Sequence, residues 1–215
     1  MWYTTDVRQQ GGAITDAGAP WPPPGAVPVL TAAGLWLLLA LLVGVSGGLA
    51  TLRPPAPQIV LVGLTVALLV AARAWAPLRR FVTEVDLRAL VLFHLTRFVG
   101  FYFLALHARG ELPWDFAVPG GWGDNATAAG AALLVILVRP DGPGGRWLYR
   151  VWNVLGLIDI AGVVATAARL ALAEPGSMRA LLQLPLSLLL TFVVPIIIAT
   201  HIWMLWRLAR PAPAR

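Results

Sequence analysis

The sequence contains neither cysteine nor lysine, and only 12% of its 215 residues are charged. The absence of cysteine excludes a disulfide framework, a thiolate metal site and a nucleophilic thiol. The absence of lysine excludes a Schiff-base lysine and a phosphate-binding P-loop. The charged fraction is about half of that in an average soluble protein, and a soluble fold of this size needs more polar side chains to cover its surface. Because hydrophobic residues make up 59% of the chain, the sequence predicts a polytopic membrane protein.

Sixteen basic residues against ten acidic ones give a net charge of +6, a balance that is also found in nucleic-acid-binding proteins. The basic residues are all arginines, and they cluster at the ends of apolar runs. No polar region combines a basic stripe with interleaved aromatic residues, which is the pattern that nucleic-acid recognition favours. We therefore expect no nucleic-acid partner.

Long apolar runs fill the chain between residues 29 and 207. About 20 apolar residues are enough for a helix to cross the hydrocarbon core of a membrane. The sequence therefore predicts an all-α bundle of six transmembrane helices over 29–207, between a flexible cytoplasmic tail at 1–28 and a cytoplasmic C-terminal tail at 208–215. The predicted spans are Val29–Ala50, Ile59–Ala76, Leu87–His107, Ala126–Val138, Leu148–Ala173 and Ala180–Leu205.

The fourth predicted span, Ala126–Val138, is too short to cross the membrane alone. As a helix it would measure roughly 20 Å, against about 30 Å for the hydrocarbon core. The missing length has to come from Gly110–Asn125, which is apolar but interrupted by Pro113, Pro119 and several glycines. Two interpretations are open: a re-entrant loop or half-helix covered by protein, or a surface loop whose tryptophans lie at the membrane interface.

The distribution of arginine predicts the orientation of the bundle. Eleven arginines lie in or beside the two tails and the loops after the second and fourth spans, whereas three lie on the opposite side. Cytoplasmic loops of membrane proteins carry an excess of basic residues. Both termini are therefore predicted in the cytoplasm.

Two opposite charges lie at the same predicted depth inside the membrane. Arg97 is ten residues into the third span, roughly 15 Å from the cytoplasmic side, and Asp159 is eleven residues into the fifth, roughly 16 Å from that side. Since an ionisable residue in a span needs a partner, we predict an ion pair between them. The pair is either structural and fixes the register of the helices, or functional as a proton relay or substrate anchor.

Two histidines also have matching depths, closer to the cytoplasm. His94 lies roughly 10 Å and His201 roughly 9 Å from that side. They could be the axial ligands of one haem b, or each could form a hydrogen bond with a backbone carbonyl or a hydroxyl. Asn153 lies within reach of this layer, where its amide is predicted to link helices. No metal site is expected, because no metal-ligand spacing accompanies the histidines.

Asp124 precedes the apolar part of the fourth span. An acidic or amide side chain at this position is typical of a helix N-cap, so Asp124 is predicted to cap the helix, with Asn125 as the competing cap. Its place near the outer leaflet leaves a second interpretation open, in which Asp124 binds a cation or a proton.

Three segments resemble those of a group of small multi-span bacterial membrane proteins without an assigned activity. They are GELPWDFAVPGGWGD (110–124), WNVLGLID (152–159) and PLSLLLTFVVPIIIATH (185–201). The resemblance covers roughly the C-terminal half of the chain. It implies a multi-pass protein of the bacterial inner (cytoplasmic) membrane, and it brings no reaction, substrate or catalytic residue.

The sequence contains none of the common hydrolase, metalloprotease or dinucleotide motifs. The function it favours is therefore a non-catalytic membrane component, either a protein that binds a lipid or small molecule or a subunit of a larger membrane assembly. Two alternatives stay open. One is a redox protein with a single b-type haem on His94 and His201, and the other is an enzyme that uses His201 and Asp159 as acid and base on a lipid substrate.

Overall fold

The structure is a computed structural model that describes residues 22, 23 and 25–210 of the chain. This part contains seven helices and no β-strand. The predicted N-terminal tail therefore lies outside the described residues up to residue 21, and the C-terminal tail beyond residue 210. The helices are α1 (Ala26–Val45), α2 (Ala56–Ala74), α3 (Ala76–Glu84), α4 (Leu87–Ala108), α5 (Trp114–Leu137), α6 (Gly145–Ala173) and α7 (Leu189–Ala209).

The predicted all-α class is confirmed. Five helices, α1, α2, α4, α6 and α7, are long and apolar enough to cross a membrane. Helix α5 has 24 residues but contains Asp115, Asp124 and four glycines, and it does not belong to this set. The prediction of six spans is therefore not confirmed by helix length and composition alone.

Helices α4, α5, α6 and α7 form the centre of the bundle. Helix α5 packs along α4 on one side and α6 on the other, and α7 packs against α6 and α2. Helix α1 packs against the short α3 and the first turns of α7, and most of its surface is exposed. The polar residues that the sequence places at depth therefore come from the four helices that bury one another.

The segment Gly110–Asn125 is not a loop, so the predictions of a re-entrant loop and of a surface loop were wrong. The half-helix alternative was closer, but the helix is continuous with the predicted fourth span. Helix α5 begins at Trp114 and continues through Pro119 to Leu137. Within this helix, Gly121 and Gly123 lie where the neighbouring helices α4 and α6 approach closely. A Cβ atom on Gly121 would lie 2.8 Å from the carbonyl oxygen of Gly100 in α4. Small residues serve this purpose at helix contacts in membranes.

Two departures from α-helical geometry lie at the centre of the bundle. Residues His94–Val99 of α4 form a 3₁₀-helix, in which side chains three positions apart lie on the same face. His94 and Arg97 are three positions apart, and both face the bundle interior. The first turn of α7, Leu189–Val193, is a π-helix that ends two residues before the buried Pro195. The missing amide hydrogen of this proline is a common cause of such a local change.

Candidate functional site

Arg97 binds two carboxylates and one backbone carbonyl in the centre of the bundle. Its Nε donates to Asp124 Oδ1 at 2.6 Å, and its Nη2 donates to Asp159 Oδ2. Its Nη1 donates to the carbonyl oxygen of Gly156 at 2.9 Å. The side chains of Arg97 and Asp124 are 1% and 4% exposed, whereas Asp159 is 26% exposed. The structure thus brings the predicted partners Arg97 and Asp159 together and adds a second carboxylate.

The capping role predicted for Asp124, with Asn125 as its alternative, was wrong. Both residues lie in the interior of α5, ten and eleven residues after its start at Trp114. Ten residues of helix rise about 15 Å, which is half of a hydrocarbon core of about 30 Å and therefore the same level near its middle that the sequence assigns to Arg97 and Asp159 from the other side. The sequence therefore contains the depth of Asp124, but this depth follows only when the helix is extended through Pro119 to Trp114.

His94 and His201 contact each other directly, because their ring centroids lie 4.2 Å apart. Aromatic rings in contact have centroids about 4.5–7 Å apart, so nothing fits between these two. Axial imidazoles on opposite faces of one haem are separated by the iron and the plane of the macrocycle. The geometry therefore contradicts a haem b held between His94 and His201.

The hydrogen bonds of His201 determine which of its ring nitrogens carries hydrogen. Asn153 Nδ2 donates to the backbone carbonyl of His201 at 2.9 Å, which fixes the orientation of the amide. Asn153 Oδ1 then lies 2.7 Å from His201 Nδ1 and must accept from it. His201 is therefore the Nδ1–H tautomer, and its Nε2 has a lone pair that is buried and without a partner.

His94 has the complementary arrangement. Its Nε2 lies 3.2 Å from the hydroxyl of Thr200, and that hydroxyl also lies within 2.9 Å of the carbonyls of Ile196 and Ile197. Carbonyls only accept, so the hydroxyl hydrogen points to them and the hydroxyl oxygen accepts from His94 Nε2. The lone pair of His94 Nδ1 is then buried and without a partner. The ring of each histidine thus forms one hydrogen bond through one nitrogen. The other nitrogen, which we call the bare nitrogen, has a lone pair without a partner.

Gly156 in α6 joins the histidine pair to the Arg97 cluster. Its carbonyl accepts from Arg97 Nη1, and a Cβ atom on it would lie 2.7 Å from Cε1 and 3.1 Å from Nε2 of His201. The bare nitrogen of His201 therefore faces the residue that holds the guanidinium. We call Arg97, Asp124, Asp159, His94 and His201 the buried polar set.

A partly open crevice of about 120 Å³ leads to this set from the end of the bundle where α2 begins and α6 ends. Its walls are mostly apolar and come from five helices: Leu61 of α2, Val99 and Phe103 of α4, Phe116 of α5, Val163 and Ala168 of α6, and Val193 of α7. Arg97 and Asp124 also line the crevice, whereas His94, His201 and Asp159 do not. The crevice is therefore an apolar space with one charged patch, and nothing in the sequence pattern signalled it.

The family described as a domain of unknown function (DUF8737) matches residues 54–209, which is more than half of the chain. The chain belongs to this family. The matched region contains helices α2 to α7 and every member of the buried polar set, including His94, which lies outside the three segments of the sequence resemblance. The DUF8737 family brings no activity or partner. No curated protein and no solved structure matches the chain.

Proposed function

We propose that this protein is a non-catalytic integral membrane protein that binds a lipid or another small amphiphile in the crevice between α2, α4, α5, α6 and α7. The observation that carries the proposal is the crevice itself, whose walls are apolar and which reaches Arg97 and Asp124. Ligand sites commonly combine a mostly apolar lining with a few placed polar groups. The proposed ligand inserts its apolar part between the helices and directs its polar end towards the two charged side chains.

We propose α5 as the sixth span of this membrane protein. Its 24 residues rise about 36 Å, which exceeds the roughly 30 Å of the hydrocarbon core. Its polar residues Asp124 and Asn125 are 3% and 5% exposed, so they face protein rather than lipid. Polar groups at membrane depth are tolerated in this position. The distribution of arginines supports cytoplasmic termini, and the sequence resemblance supports a bacterial inner membrane.

The charge of the crevice favours a neutral or cationic polar end over an anionic one. The guanidinium of Arg97 pairs with both Asp124 and Asp159, so one positive charge is paired with two carboxylates. An anionic head group would add a third negative charge at a depth where water does not screen it. We therefore propose an uncharged or amine-bearing amphiphile as the ligand class.

Photolabelling with three matched probes tests this proposal. The probes share one long alkyl tail with a diazirine and end in a primary amine, an alcohol or a carboxylate. We expect the amine and the alcohol to label peptides of α6 and α7 several-fold more than the carboxylate does. Ala168→Phe fills the crevice and should reduce this labelling several-fold. Labelled peptides are identified by mass spectrometry of the protein in nanodiscs.

Ala165→Phe is the matched control, because Ala165 lies on the same helix but is exposed rather than part of the crevice wall. It should label like the unchanged protein. Equal labelling of the unchanged protein and Ala168→Phe, or a preference for the carboxylate probe, would contradict the proposal. A second chain that co-purifies while the crevice stays unlabelled would favour the alternative, a subunit of a larger membrane assembly.

The acid–base enzyme on a lipid substrate has less support from the same geometry. It requires His201 and Asp159 to reach one substrate, but neither residue is part of the crevice wall. His201 Nδ1 is held by Asn153, and Asp159 is held by Arg97. The geometry therefore favours a binding role over this enzyme.

A further inference from the structure

We propose that the buried polar set is a proton-binding site that holds one proton, placed on a carboxylate of Asp124 or Asp159 or on the lone-pair nitrogens of His94 and His201. The site shares Arg97 and Asp124 with the crevice. The proposal concerns the protein without a bound amphiphile, because a bound amine would supply the same positive charge in place of the proton. The argument rests on the number of charges in the set and on the two bare nitrogens beside it.

The charges of the set do not balance without an added cation. Arg97 contributes one positive charge, and Asp124 and Asp159 contribute two negative charges when both are ionised. Each carboxylate is bonded by only one of the three guanidinium nitrogens of Arg97, since the third donates to the carbonyl of Gly156. A net charge buried at membrane depth is costly, and one bound proton removes it.

The histidines provide a second place for this proton close to the carboxylates. Both are 0% exposed, and each has one nitrogen whose lone pair has no partner. A buried acceptor without a partner costs free energy, which protonation or a hydrogen-bond donor would recover. The Nε2 edge of His201 faces Gly156, and the carbonyl of Gly156 holds Arg97. Gly156 therefore lies between the bare nitrogen of His201 and the guanidinium of Arg97, which binds both carboxylates.

The groups that face this site come from every helix packed around it. Helix α4 contributes His94 and Arg97, α5 contributes Asp124, α6 contributes Asp159, and α7 contributes His201. Arg97 disfavours a proton on the histidines, and the two carboxylates favour it. A proton that leaves the carboxylates can therefore remain inside the set, so that the set as a whole stays neutral.

Infrared spectroscopy and nitrogen NMR of the protein in nanodiscs measure this proton. The C=O band of a protonated carboxyl group reports a proton on Asp124 or Asp159. The ¹⁵N shifts of labelled histidine report a proton on His94 or His201, as well as the tautomers of the neutral rings. At neutral pH we expect one proton per chain in the sum of both signals, and we expect its loss in one step as the pH rises.

Two variants make the test depend on the charge count rather than on one residue. Asp124→Asn and Asp159→Asn each remove one negative charge, which leaves the set neutral without a proton. Either substitution alone should therefore abolish the proton signal. His107→Gln is the control, because His107 lies at the far end of α4, where it contacts the carbonyl of Leu112, and it should leave the proton signal unchanged.

Three outcomes would overturn the proposal. The first is two ionised carboxylates with two neutral histidines across the pH range. The second is a proton that persists in either asparagine variant. The third is a neutral His201 that carries its hydrogen on Nε2, because the nitrogen would then be a donor and not an acceptor. A proton signal lost in both asparagine variants, with the unchanged protein carrying one, would support it.

Discussion

Arg97→Leu is expected to reduce the yield of folded protein more than any other single substitution in the bundle. It removes the base that pairs with Asp124 and Asp159, and it leaves both carboxylates without their partner. Removing one partner of a buried ion pair costs about 3–5 kcal/mol, and two carboxylates share this partner. The loss is comparable to the whole stability of many proteins, which is about 5–15 kcal/mol. Size-exclusion profiles and thermal unfolding in detergent measure the effect.

Arg169→Leu is the matched control for this prediction. Arg169 also pairs with an aspartate, since its Nη2 lies 3.5 Å from Asp115 Oδ2, but the two side chains are 61% and 57% exposed. Exposed ion pairs contribute about 0–1 kcal/mol, so this variant should unfold like the unchanged protein. Asp124→Asn should have an intermediate effect, because Arg97 and Asp159 then remain as a balanced pair. Equal behaviour of Arg97→Leu and Arg169→Leu would contradict the structural role of the buried set.

Depth along a helix could be predicted from the sequence, but the distance between helices could not. A rise of about 1.5 Å per residue placed Arg97 level with Asp159 and His94 level with His201. The structure places each pair in contact. The lateral spacing follows from packing, and the sequence pattern carries no information on it. For this reason, matching depth was compatible both with two histidines on a haem and with two histidines in contact.

The second half of helix α5 was predicted as the fourth span, but its first half was not, because glycines and Pro119 are breakers in most helices. In this bundle they have a different role. Gly123 lies where a Cβ atom would collide with the carboxylate of Asp159, and Gly130 lies where it would come within 2.9 Å of the ring of Trp152. The segment is glycine-rich because α4 and α6 approach it closely. Because the first half of α5 was not predicted as a helix, the depth of Asp124 and its pairing with Arg97 were not predicted either.

Gly100→Ala tests this close approach and should have the second largest effect. Gly100 lies at the crossing of α4 and α5, where an added Cβ atom would collide with the carbonyl oxygen of Gly121 and come within 2.8 Å of Asn125 Oδ1. Since one of these atoms belongs to a helix backbone, the helices themselves have to separate. Overpacking of this kind costs about 1–3 kcal/mol. Unfolding in mixed detergent micelles should therefore begin at a lower fraction of denaturing detergent.

Gly63→Ala separates packing from helix propensity, because it makes the same chemical change without a neighbour. Gly63 lies in α2, and an added Cβ atom would meet nothing within 4 Å. Alanine favours a helix over glycine by roughly 0.8–1.0 kcal/mol in water, so this variant should be unchanged or slightly more stable. If helix propensity controlled both positions, Gly100→Ala would also stabilise the protein. A loss of stability at Gly100 alone means that the α4–α5 contact, which positions Arg97 against Asp124, requires a residue without a side chain.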